Sequence, residues 1–254
     1  MFAARAGWPA IWVGFILAGC AIAPPEAPSV VPRLNLQLPQ LSGLDTVVYR
    51  RSITRGGRDS AAGTRTVVLR RIERPGRIPL LEVEQRFPGG GGEIVDTALA
   101  ELRTLRAVAH RSHQPTRTMR FAFEGNDVSG TVAAAGVSGD SVVRQALGGP
   151  IFDSNVLDLV VAALPLERSF TAQLPFFIYE RGGRVVMPVA LRDRAEVAFP
   201  EHGEREVWVV TVGVPGAPAT VWVDTRTRAV LRIRYEISAR GISFTDERMT
   251  ALSQ

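Results

Sequence analysis

The strongest constraint on the fold of this chain is a two-residue rhythm that starts near Leu44 and returns in short runs to the end. In Leu231, Ile233, Tyr235 and Ile237 one side of the run is apolar, while Arg232, Arg234 and Glu236 take the other. That is the pattern of a strand with one buried face. Met119, Phe121 and Phe123 alternate in the same way with Arg120 and Glu124. Runs rich in Val, Ile, Thr and aromatics, bounded by Gly, Pro, Asn and Asp, predict strands at 45–54, 64–73, 78–87, 117–124, 127–134, 170–180, 184–191, 195–199, 206–214, 219–224, 229–239 and 242–248. Links as short as Gly125-Asn126, Gly182-Gly183 and Asp224 to Arg228 join antiparallel neighbours, because a parallel crossover needs a dozen residues or more. The run Val207-Trp208-Val209-Val210-Thr211-Val212 does not alternate and predicts a strand covered on both faces.

One helix interrupts this meander, at Ser154 to Leu164. Asp153 or Ser154 can cap it, Val156, Leu157, Val160, Val161 and Leu164 form its apolar stripe, and Pro165 stops it. The stripe is too wide for an exposed helix, so it should pack on the concave side of the sheet. Residues 94–110 carry two readings. Ile94, Ala98, Leu102, Leu105 and Val108 have helical spacing, and a pair of strands is the alternative.

The chain has 254 residues, 46% hydrophobic and 22% charged, a composition typical of folded domains. All 30 basic residues are Arg, against 25 acidic ones. They are spread rather than clustered, which argues against a nucleic-acid surface, and the absence of Lys reads first as genome composition. The single cysteine, Cys20, leaves no disulfide to staple the fold. It follows Leu17-Ala18-Gly19 and an apolar run from Trp8, too short to span a bilayer and shaped like a secretory signal.

Leu17-Ala18-Gly19-Cys20 resembles the lipobox of bacterial lipoproteins, which implies cleavage before Cys20 and acylation of that residue. Domains follow: a signal peptide at 1–19, an acylated Cys and Pro-rich tether at 20–41, and one β-rich domain at 42–254. Pro24, Pro25, Pro28, Pro32 and Pro39 keep the tether extended. The expected place is the bacterial envelope, held to a membrane by lipid. With Ala21 after the cysteine, the resemblance implies the outer membrane in a Gram-negative cell.

Tests for chemistry give little. No HExxH, GxSxG or phosphate-loop motif is present, and Gly89 to Gly92 reads as a loop. His110 and His113 could join a metal site only with a third ligand such as His202, Glu201 or Glu204, so solvated histidines before Pro115 are preferred and neither metal nor cofactor is expected. Asp153 and Asp158 read as a cap and a polar-face residue, not as paired catalytic acids. No enzyme is expected.

Ile151-Phe152-Asp153 leading to Val160-Val161-Ala162-Ala163-Leu164-Pro165-Leu166, and Ala219-Thr220-Val221-Trp222-Val223-Asp224 before Arg228 to Tyr235, resemble a bacterial family of exported β-rich domains of unknown function, as do Thr104-Leu105-Arg106 and the hairpin from Phe121 to Gly130. The resemblance spans about residues 94–248. It implies a mainly β fold, a curved antiparallel sheet or half-open barrel with one helix packed on it, similar to the LolA and LolB lipoprotein carriers, and it makes 94–110 two strands. A strongly bent sheet of this kind exposes an apolar inner face that suits a lipid or other amphipathic ligand; Phe121 and Phe123 are candidate lining, as are Trp208 and Trp222, for which core or cross-strand packing is the preferred reading. The alternative is a structural or protein-interaction component of the envelope with no small ligand.

Overall fold

The computed structural model describes residues 44–89, 91–167, 169–214 and 217–250. The signal segment, Cys20 and the tether lie outside the described residues. Fifteen strands form one sheet: β1 (Leu44–Arg55), β2 (Arg58–Ile72), β3 (Leu80–Gly89), β4 (Gly92–Glu101), β5 (Ala107–Gln114), β6 (Arg117–Glu124), β7 (Asp127–Ala134), β8 (Ser141–Ala146), β9 (Phe152–Asp153), β10 (Thr171–Ile178), β11 (Gly183–Phe199), β12 (Gly203–Val214), β13 (Ala217–Asp224), β14 (Val230–Ile237) and β15 (Ile242–Arg248). Their order is β8-β7-β6-β5-β4-β3-β2-β1-β15-β14-β13-β12-β11-β10-β9. Two antiparallel meanders therefore meet at one seam, where β1 pairs with β15.

The sheet is large, open and curved. Register shifts at Arg50/Ser52, Leu99/Ala100, Leu191/Asp193 and Trp222/Val223 mark where its ladders bend. At its far end β9 runs parallel to β10 and bridges across to Arg106, tying that end to the start of β5. The expected β class is thus the observed one. β12 is an interior strand whose Val207 and Val210 are both buried, one on each face, which explains its unbroken apolar run.

The predicted helix is a short 3-10 turn (Ser154–Val156) leading into α1 (Leu157–Ala163). Asp153 caps it, its carboxylate accepting from the Asn155 amide at 2.8 Å. Seven residues cannot hold a helix in water by themselves, so burial holds this one. Val156, Val160, Val161, Ala162, Ala163 and Leu164 share one core with Val67, Leu69, Leu81 and Val83 of one meander and Val189, Val210, Val221 and Ile233 of the other. Each large aliphatic side chain so buried contributes roughly 1.5–3 kcal/mol. Arg228, in the turn after β13, finishes the helix by donating to the carbonyls of Ala162 and Leu164 at 3.1 and 2.8 Å.

A buried charge cluster pins α1 to the strands. Arg65 on β2 donates to Asp158 of α1 at 2.9 Å, to Asp246 of β15 at 3.4 Å and to Gln85 of β3 at 3.2 Å. Arg51 forks onto Asp246 with two 2.7 Å bonds. Burial raises the Tyr235 hydroxyl to about 12 and pushes Tyr49 higher still. For Arg65 burial acts to lower the pKa, yet the surrounding Tyr235, Asp158, Asp246 and Tyr49 outweigh it and raise it. Asp158 is accordingly a buried anchor, not a solvated residue on the helix's polar face.

The helical reading of 94–110 gives way to β4 and β5. Ala98 and Ala100 are fully buried, a period of two rather than of three to four, and the segment breaks at a turn where Leu105 takes φ 55°. The runs at 184–191 and 195–199 are one bent strand, β11, and β8 carries too few large apolar residues to have been read as a strand.

Candidate functional site

Three neighbouring strands supply the floor of a cleft. Asp96 lies opposite Ser112, and Ser112 opposite Met119, so β4, β5 and β6 present Asp96, His110, Ser112, Gln114 and Met119 on one face. The 3-10 turn after β9 brings Ser154 and Asn155 over this floor, and the end of β10 with the turn after it brings Phe177, Tyr179 and Glu180. The open space, mouth included, is about 340 Å³.

His110 stands on Asp153. Its Nδ1 lies 3.0 Å from a carboxylate oxygen of a side chain that is 0% exposed, while the other oxygen of Asp153 caps the turn. That contact fixes the imidazole's orientation and leaves its other nitrogen available. Burial acts to lower the His110 pKa, but the adjoining Asp153 charge and hydrogen bond, with Asp96 and Glu180 nearby, raise it above its ordinary value.

A second chain of contacts ends on Asp96. Arg117 pairs with Glu180 and donates to Gln114 at 3.1 Å; Gln114 donates to the Ser112 hydroxyl at 3.0 Å; Ser112 bonds the Asp96 carboxylate. Burial raises the Asp96 pKa, opposed by Ser112 and His110. Among the described residues, Asp96 Oδ1 and Asn155 Nδ2 are buried atoms without a hydrogen-bond partner, and both belong to side chains that line the cleft. Native folds pair nearly all such atoms with protein, ordered water or an ion, so both are positions where a group from outside the chain can bond.

The pH dependence follows from the His110 shift. A histidine whose folded pKa is raised contributes stability that is fully present below its unfolded value, near 6.5, and is lost as pH rises through the folded value. Wild type should exceed His110→Gln in unfolding free energy by its widest margin below pH 6.5, the margin narrowing in alkali. Urea titrations of both proteins from pH 5 to 9 check this, and a pH-independent margin would contradict it.

The predicted lining residues do not form one wall. Trp208 lies opposite Val223 and Trp222 opposite Val209, so the two indoles face opposite sides of the sheet. Trp208 packs on the main core and holds Arg228 at 5.0 Å, while Trp222 joins Phe199, Val207 and Leu231 on the other face and meets Arg232 at 5.6 Å. Phe121 and Phe123 meet Phe177 edge to face, with centroids 5.3 and 5.1 Å away, and so back the cleft without the tryptophans. His110 is buried rather than solvated, and on a strand His113, three residues on, is exposed on the other face. His202 lies beyond β11, within 3.1 Å of the Arg248 carbonyl. Among the described residues no three His, Cys, Asp or Glu side chains are grouped to hold a metal ion. The sequence hid the His110–Asp153 pair because 43 residues, including the strands β6, β7 and β8, separate its members.

A family of proteins of unknown function, DUF3108, matches residues 54–245. The chain belongs to that family. The DUF3108 match starts some way upstream of the segments that carried the resemblance in the sequence and takes in both meanders. Among solved structures the DUF3108 chain is similar to a β-barrel-like protein of the DUF1849 family from Brucella abortus. The two share 11% identity and a TM-score of 0.54, over 87% of this chain and 100% of that one. A DUF1329 family protein from Desulfovibrio piger is 11% identical, covering 82% of this chain and 85% of its own, at a TM-score of 0.32. A Bacteroides fragilis protein, described as exported and YmcC-like in fold, is 10% identical, covering 85% and 98%, at 0.28. No curated protein matches.

Proposed function

We propose that this protein is a bacterial envelope lipoprotein, moored through acylated Cys20 and its Pro-rich tether, whose β domain binds a small polar or amphipathic ligand in the cleft over His110. The tether and the Leu17-Ala18-Gly19-Cys20 sequence support the anchor. The observation that carries the binding reading is that one cleft is lined by two residues from separate elements, Asp96 and Asn155, each with a buried polar atom that has no partner among the described residues, beside an oriented imidazole. The apolar concavity suits an acyl chain less well, because α1 occupies it. Ligand polarity therefore belongs at the cleft, with any apolar part against Met119 and Phe177.

Wild-type protein extracted from its own membranes in mild detergent should carry a small molecule detectable by mass spectrometry, and Ser154→Trp, which fills the cleft, should lose it. Equal recovery from both would sink the binding reading. Intact mass should place the mature start at an acylated Cys20, and Cys20→Ser should move the protein to the soluble fraction. A second reading, a protein-interaction module with no small ligand, is favoured by the free edge of the sheet at β8, where Val142 is 69% exposed.

A further inference from the structure

We propose that the cleft recognises a primary ammonium group bearing an oxygen acceptor one or two carbons away, the chemistry of 2-aminoethanol, whether free or as a lipid headgroup. This rests on the reading of the cleft as a ligand site and names what enters it.

Charge balance argues for the cation. Three carboxylates, Asp96, Asp153 and Glu180, lie at or directly behind the cleft. Two of them have their own cationic partner, Asp153 in His110 and Glu180 in Arg117. Asp96 takes a hydroxyl from Ser112 and feels the charge of His110, which Asp153 already holds, and its Oδ1 meets no donor among the described residues. The relay from Arg117 through Gln114 and Ser112 fixes the direction of that carboxylate without satisfying it. A ligand ammonium supplies both the missing charge and the missing N–H donors, and charge-assisted bonds of this kind are about twice as strong as neutral ones. Aromatic walls at Phe177 and Tyr179 suit a cation as well, since ring faces attract positive charge. Tyr179 already shows this with the Arg117 guanidinium 5.6 Å from its ring centroid.

The neighbouring acceptor follows from Asn155. Its Nδ2 is a buried donor without a partner, on the turn that covers the floor. An ammonium alone would leave that donor bare, while a hydroxyl or ester oxygen a short distance along the ligand would satisfy it. A carboxylate ligand fits poorly, because it would meet Asp96 and Glu180 with like charge. The lining is mostly polar, with Met119 and Phe177 its apolar members, and so suits a headgroup better than an acyl tail.

The test uses the full mature acylated protein in detergent micelles, with amide NMR shifts of Asp96, His110 and Asn155 followed during titration. The probes are 2-aminoethanol, methylammonium, ethylene glycol and acetate. Expected is saturable binding of 2-aminoethanol, at least tenfold weaker for Asp96→Asn and severalfold weaker for Asn155→Leu, with methylammonium intermediate and acetate inert. Circular dichroism confirms that each variant folds; should Asp96→Asn not fold, Tyr179→Leu, which keeps the carboxylate but removes the ring wall, takes its place with the same expected direction. Stronger shifts with acetate or ethylene glycol would overturn the ammonium assignment while leaving the cleft a ligand site. No shift with any probe would overturn both. Vesicles of phosphatidylethanolamine against phosphatidylcholine distinguish the sources: shifts with the former alone assign a lipid headgroup, and shifts with free 2-aminoethanol alone assign a soluble ligand.

Discussion

Arg65→Ala should cost about 3–5 kcal/mol of folding stability, the cost of leaving buried charge uncompensated. Arg65 is the only group shown to reach Asp158 on α1, Asp246 on β15 and Gln85 on β3 together. Asp246 keeps Arg51 after the change, but Asp158 loses its cation while still enclosed by core side chains. The loss should therefore act through the helix more than through the strands. A double variant separates these effects: Arg65→Met with Asp158→Leu removes both members of the pair, and replacement of a buried ion pair by packed apolar groups is often neutral. It should recover most of the stability lost in Arg65→Ala. Urea unfolding of the three proteins measures the difference, and a cost under about 1 kcal/mol for Arg65→Ala, the range of a surface ion pair, would show that the cluster is not enclosed.

Phe176→Ala is expected to cost a comparable 3–5 kcal/mol, the usual range for removing a buried aromatic side chain. Phe176 is fully buried, its ring centroid is 5.5 Å from that of Phe152, and its backbone lies in parallel register with Phe152 at the β9–β10 contact. That contact also positions Asp153, the residue after Phe152 and the support of His110. The variant should thus lose cleft order along with stability, visible as broadened amide resonances at His110 and Asn155. Retained sharp resonances with full destabilisation would uncouple the core from the site.

The sheet was legible because its strands alternate. β6, β7, β13 and β15 were placed almost to the residue, as were the cap at Asp153 and the stop at Pro165. β4 was ambiguous because Ala98 and Ala100 are small, and alanines carry little pattern whichever period they follow. β8, with Val142 exposed and Val143 only partly buried against the smaller core, has little pattern to read. The site was harder for a different reason. Asp96, His110 and Asp153 look like unrelated surface residues in a linear chain, and they come together only where contacts such as the Arg106–Phe152 bridge and the Arg117–Glu180 pair bring the end of the second meander onto the first. Charge pairing between distant strands leaves no mark on local periodicity. Arg65, Asp158 and Asp246 leave no sign in the sequence on the same ground, and which face each tryptophan packs on is hidden because one residue of register decides it.

The seam between the first and last strands joins residues that are 195 apart, as Arg51 and Asp246 are. Each meander can assemble from hairpins as soon as its own residues are free, but this joint must wait for the final strand. Closing so long a loop makes it the slowest contact to gain. A polypeptide made N-terminus first would have one half of its ladder ready while its central pairing stayed open until β15 was free. Completion of the domain is thereby tied to the release of its final strand.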